Sequence, residues 1–232
     1  MTFGERGIAV IVAMMALLIM SALAAALVLG TSSETIIVRN FRTAGAAAYA
    51  ADAVLQYALD ELPSIPDWSD VLDGTTQSNL TDGLPAGERR LPDGSTVNLT
   101  ELVNIANCAR LTPCSDAEMN QITSERPWGA NNPRWRLYAH GLMADLAPAI
   151  NGSAFYVVLL VADDPSEVDG EPSVDGSDPD PGSGVIELRA EAFGPGGAHA
   201  VVDATAARVE PEEIVGVPGT PAVRLRSWRL SK

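Results

Sequence analysis

Residues Ile8 to Leu29, IAVIVAMMALLIMSALAAALVL, run for 22 positions without a charge and with one hydroxyl, Ser21. As a helix this run reaches roughly 33 Å, enough to cross a hydrocarbon core of about 30 Å. Three readings fit such a segment. A secretory signal peptide has a shorter apolar region, about 7–15 residues, behind several basic residues. Here the flank is MTFGERG with a single arginine, although Ala22, Ala24, Ala25 and Ala26 would suit a signal peptidase. A plain single-pass anchor is the simplest reading. The third is a helix that outlasts the membrane, and it depends on the residues beyond Leu29.

No turn signal interrupts the chain there. GTSSETIIVRNFRTAGAAAYAADAVLQYALDEL keeps a helical composition to Leu62, where Pro63 stops it. Ile37, Phe41, Ala44, Ala48, Ala51, Leu55, Leu59 and Leu62 recur every three or four positions and predict one apolar stripe. Gly30 and Gly45 are places where the helix is expected to bend. The whole of Ile8–Leu62 therefore reads as a single helix of roughly 80 Å. One half is apolar all round, suited to lipid, and the other is amphipathic, suited to lying on a globular domain.

A short polar leader ending in Gly7, a long apolar helix, and its amphipathic continuation together resemble a type IV prepilin. Ser33, Glu34, Asn40 and Phe41, followed by Tyr49, Ala50, Ala51, Asp52, Ala53 and Leu55, resemble the N-terminal region of the PilX-type minor pilins. The resemblance covers about residues 4–60. It implies that prepilin peptidase cuts between Gly7 and Ile8 and methylates the new N-terminus. Val12 stands at the fifth mature position, where major pilins usually carry glutamate. PilX-type pilins and K-type pseudopilins often lack that carboxylate, which implies a minor, tip-associated subunit that primes or assembles a pilus. The implied partners are other minor and major pilins through the N-terminal helix, prepilin peptidase, and a tip adhesin. The implied location is the bacterial inner membrane before assembly, with a periplasmic head, and afterwards the cell-surface pilus. The small residues Ala13, Ala16, Ser21, Ala22, Ala24, Ala25 and Ala26 suit close packing among like helices. Two alternatives remain open: a K-type pseudopilin of a type II secretion system, and a membrane-anchored or secreted adhesin outside any filament.

Beyond the helix the chain changes character. Residues 1–62 hold five acids and three arginines, a net of −2, while the rest of the chain holds 25 acids and 12 bases, a net of −13. An acidic protein of this kind repels nucleic acid. Residues 63–133 are rich in turn formers, and LPDG at Leu91–Gly94 predicts a tight turn between short strands. The only two cysteines, Cys108 and Cys114, are too few and wrongly spaced for structural zinc. In an oxidising compartment they read as a local disulfide, the alternative being two reduced core thiols.

From residue 134 to 232 five segments predict strands: Arg134–Met143, Ser153–Ala162, Val185–Phe193, Ala198–Val209 and Ala222–Leu230. Ile186, Leu188, Ala190 and Ala192 alternate with Glu187, Arg189 and Glu191, which predicts an antiparallel sheet with one wet face. Its dry face needs a cover, and the stripe of the long helix supplies one. The fold class expected is therefore α+β, a long N-terminal helix packed on a C-terminal antiparallel sheet. Trp68, Trp128, Trp135 and Trp228 read as core residues.

Between the second and third of these strands, residues 163–184 carry eight acids and no base, with repeated Gly and Pro. The bland reading is a solvated loop. The sharper one is Ca²⁺, which takes six to eight oxygens, with Asp163, Asp164, Asp169 and Asp175 as candidate ligands and the first two held by a strand end. No EF-hand spacing is present, and Pro179 and Pro181 interrupt the D-x-D pair. No cofactor is otherwise expected. HExxH, GxSxG, CxxC and Walker A patterns are absent, and His140 and His199 each sit inside a strand pattern, so no enzyme is expected.

Overall fold

The computed structural model describes residues 3–122, 129–146, 153–177, 180–209 and 222–231. Helix α1 spans Phe3–Glu61. The chain divides into two compact units, residues 1–43 and 44–232.

In the first unit every described side chain from Ile8 to Arg42 is exposed. The TSSET cluster after the apolar run remains helical because its hydroxyls bond back to the preceding turn. Ser32 Oγ donates to the Val28 carbonyl at 2.8 Å, Ser33 Oγ to Leu29 at 3.0 Å and Thr35 Oγ1 to Thr31 at 2.8 Å. Ser21 does the same to Leu17. α1 runs through Gly30 and Gly45 without ending at either.

The second unit is built on a five-stranded antiparallel meander. Its strands are β3 (Arg136–Leu142), β4 (Tyr156–Asp163), β5 (Val185–Gly194), β6 (Ala198–Val209) and β7 (Ala222–Ser231), in that spatial order. A separate hairpin pairs β1 (Glu88–Arg90) with β2 (Thr96–Asn98), turning at Leu91–Gly94, where the Gly94 amide donates to the Leu91 carbonyl. The α+β class and all five strands of the sheet agree with the pattern of the sequence.

One face of the sheet packs on α1. Ala47, Ala50, Ala51, Val54, Leu55 and Ala58 are buried there, and all but Ala47, with Leu62 just beyond the helix, form a core with β3–β6 that includes Val157, Leu159, Ile186, Leu188, Val202 and Ala204. Alanine on the helix lets the backbone approach the sheet closely. The buried stripe differs from the expected one. Ile37, Phe41 and Ala44 are exposed, and the inward face is rotated to include Ala47, Val54 and Ala58. Spacing alone places a stripe only to within one helical position, and the alanine-rich stretch is nearly as apolar on the neighbouring face.

The other face is not simply wet. α3 (Leu99–Cys108) and the β1–β2 hairpin cover it with Leu91, Val97 and Leu99 against Trp135, Leu137, Tyr156, Val158, Leu160 and Ala162. This explains why β4 is buried at every position, a run of Val and Leu rather than an alternation. α3 is capped by Asn98, whose side chain accepts from the Thr100 and Glu101 amides. Asn107 pins it to the sheet like a peptide: its Nδ2 donates to the Trp135 carbonyl and its Oδ1 accepts from the Trp135 amide, each at 2.9 Å. Trp68 and Trp135 are core residues, whereas Trp228 is half exposed on β7 and Trp128 lies outside the described residues.

Candidate functional site

The residues singled out in the sequence fall in three places. Gly7 and Ile8 lie within α1, at the head of the apolar run. Among the described residues this is the one helix long and apolar enough to cross a membrane, and none of its apolar window is buried. From Ile8 to Leu29 the helix presents large apolar side chains on all sides, so water is its least favourable surrounding.

Cys108 and Cys114 form a disulfide with Cα atoms 6.5 Å apart. It closes the loop between α3 and α4 (Asp116–Ile122), where Ala109 takes the left-handed conformation that ends α3. Inside that loop Arg110 reaches Glu118 at 2.9 Å, and Glu118 also accepts from the Ser115 amide. These bonds hold the Glu118 carboxyl down to about 2, with Arg110 the largest influence.

The acidic loop is folded on itself. Asp163, at the end of β4, is 4% exposed and Glu167 only 2% exposed. The Asp163 carboxylate accepts the Asp164 amide at 2.9 Å, and the buried Glu167 carboxyl is its electrostatic neighbour. Burial, and then each carboxylate's charge on its neighbours, raises both groups well above the ordinary carboxylate range. Gly182 (φ +100°) lies against the Glu167 backbone; a Cβ there would lie 2.9 Å from the Glu167 amide nitrogen. Asp175 accepts the Gly184 amide at 2.7 Å, while its own amide donates to Ser69 on α2 (Ser69–Leu72).

The four candidate cation ligands do not share a centre. Asp163 turns inward to Glu167, and Asp164 and Asp169 each hold the amide two residues on, at 2.9 and 2.7 Å. Asp175 holds Gly184. Among the described residues no group of three or more His, Cys, Asp or Glu side chains is placed to hold a metal ion. Sequence reasoning passed over Glu167, the most buried carboxylate among the loop's described residues; its only sequence signal is a place among seven other acids.

His140 is buried, its Nδ1 2.7 Å from Asp82 Oδ1, and Asp82 also takes the Arg89 guanidinium at 2.9 Å. Burial lowers the His140 pKa more than Asp82 raises it. The contact ties residues 78–82 along the outer edge of β3, where the Ser78 amide bonds the Tyr138 carbonyl and the His140 amide bonds the Leu80 carbonyl. His199 stacks on Phe193 and meets Glu191 at 2.8 Å. Each histidine is engaged in holding strands or segments together.

Glu61, the last residue of α1, carries no signal in the sequence. Its carboxylate accepts from the Ser78 hydroxyl, the Tyr138 hydroxyl and both the amide and the side chain of Asn79. It thereby joins the end of the helix to β3 and to the segment beside it.

Fold and site together define an α+β protein with an N-terminal helix long and apolar enough to cross a membrane. No family model, curated protein or solved structure matches the chain.

Proposed function

We propose that the chain is a PilX-like minor pilin, a structural subunit that primes or assembles a type IV pilus near its tip. The observation that carries this reading is the position of Gly7 directly before an apolar helical run whose described side chains are exposed from Ile8 to Arg42. Such a run suits lipid before assembly and the packed helices of a filament afterwards, and its alanines suit close helix contact. The α+β unit serves as the head. Val12, in place of a carboxylate, leaves the N-terminal amine of a neighbouring subunit without a partner, which favours an end of the filament over its shaft. On this reading the precursor sits in the inner membrane with a periplasmic head, and prepilin peptidase and other pilins are its partners.

The mass of the mature protein tests the proposal. The expected N-terminus is Ile8, methylated, and dependent on prepilin peptidase. A mature chain starting near Ala26 makes this an ordinary secreted protein, and an uncut Met1 leaves a plain anchor.

A further inference from the structure

The two edges of the main sheet are treated differently. At the β3 edge, residues 78–82 lie alongside the strand and take its outward groups, with a parallel bridge between Thr81 and His140. At the other edge, β7 pairs with β6 alone among the described residues. Its residues from Arg224 to Leu230 are all exposed.

Two features of that strand go beyond an idle edge. The α1 side of β7 carries a row of large apolar side chains, Leu225, Trp228 and Leu230, that are 37%, 49% and 45% exposed. Trp228 donates its indole N–H to Asp52 of α1 at 3.1 Å, which holds the ring at the margin of the core. The rest of the strand is basic. Residues 224–232 contain Arg224, Arg226, Arg229 and Lys232 and no acid, in a chain whose net charge is −15. Arginines and the register shift between Thr205 and Ala206 would by themselves serve to keep edges apart. A protected edge has no need of three exposed apolar side chains beside them.

We infer that the outer edge of β7 docks an extended acidic segment of a partner protein, which adds to the sheet as a sixth strand. The edge backbone, unpaired among the described residues, supplies the hydrogen bonds, the Leu225–Trp228–Leu230 row takes apolar side chains on one face, and Arg224 and Arg226 select acidic residues, Arg229 being held by Asp203 at 3.0 Å. A second copy of β7 is the wrong occupant, because pairing the two edges sets arginine rows side by side. The chain's own acidic loop is also unsuited: it is folded around Glu167 and interrupted by four prolines, Pro165, Pro172, Pro179 and Pro181. A long polyanion is disfavoured by the acidic charge of the remainder. The inference holds whether or not the chain enters a filament.

Amide hydrogen exchange on the full chain in neutral detergent micelles tests it. The probe is an end-blocked peptide of alternating Val and Glu; the controls are a Val/Lys peptide and a Pro/Glu peptide of equal charge that cannot pair as a strand. The Val/Glu peptide is expected to slow exchange in residues 222–231 roughly tenfold or more, and neither control should. In R224E/R226E the preference should pass to the Val/Lys peptide, with slow exchange in β4 retained as the sign of an intact fold. Should that variant lose its fold, R224Q/R226Q is expected to abolish the preference between the two charged peptides. No slowing by the Val/Glu peptide overturns the inference. So does equal slowing by the Pro/Glu peptide, or protection given only by anionic phospholipid vesicles or single-stranded DNA.

Discussion

Ala109 is the only described residue other than glycine with a positive φ, 54°, and it stands where α3 ends. Helices commonly end in that conformation, and a Cβ makes it unfavourable by roughly 1–2 kcal/mol. Replacing Ala109 with glycine should therefore raise stability by about 0.5–1 kcal/mol, after the extra freedom of the unfolded chain is subtracted. A higher denaturant midpoint with an unchanged slope is the expected result, and a lower midpoint refutes it. At this scale some features are readable. Asn98 followed by Glu101 is a helix-start pattern that the structure uses, and the reading of residues 63–133 as turn-rich passed over it. Glu61 is not readable. Its partners Ser78, Asn79 and Tyr138 lie 17, 18 and 77 residues away, and no local pattern announces such contacts.

Among the elements, the strands are the most legible, since alternation and flanking Gly and Pro reflect the backbone directly. The acidic loop is the least. Its composition describes a solvated segment, and only folding puts Asp163 and Glu167 side by side out of water. That placement has a pH consequence. Unfolded carboxyls titrate near pH 4, whereas burial raises Asp163, Glu167 and Asp175 in the fold. The folded chain thus holds more protons than the unfolded one above that pH, and stability falls as pH rises toward the alkaline side. The melting temperature is expected to be lower at about pH 9 than at about pH 5, and Glu167→Gln should flatten that fall. An unchanged pH slope in the variant would show that the pair does not govern it. Burial of His140 acts in the other direction and in a different window: its lowered pKa removes stability as pH falls below about 6.5.

In the molecule as a whole, the core beneath α1 joins the helix to the sheet, with Leu55 fully buried at its centre. Leu55→Ala leaves a cavity there and is expected to cost about 2–5 kcal/mol. Because one core serves residues 44–61 and the strands, loss of amide-exchange protection in those residues and in the sheet should coincide in denaturant in that variant. Separate transitions would mean that residues 44–61 are held independently of the sheet.

Pattern alone determined the long helix, its apolar first half, its stop at Pro63, the five strands and the α+β class. Those arise from periodicity and from side chains acting on their own backbone, which are local. Tertiary structure decided which face of α1 turns inward, because alanine is nearly as acceptable on either side and only contact with the sheet selects. It decided that α3 and the hairpin cover the second face, and that one sheet edge is closed by residues 78–82 while β7 stays open among the described residues. It also decided the burial of Glu167. Each of these depends on groups far apart in the chain meeting in space, and periodicity carries no record of such meetings.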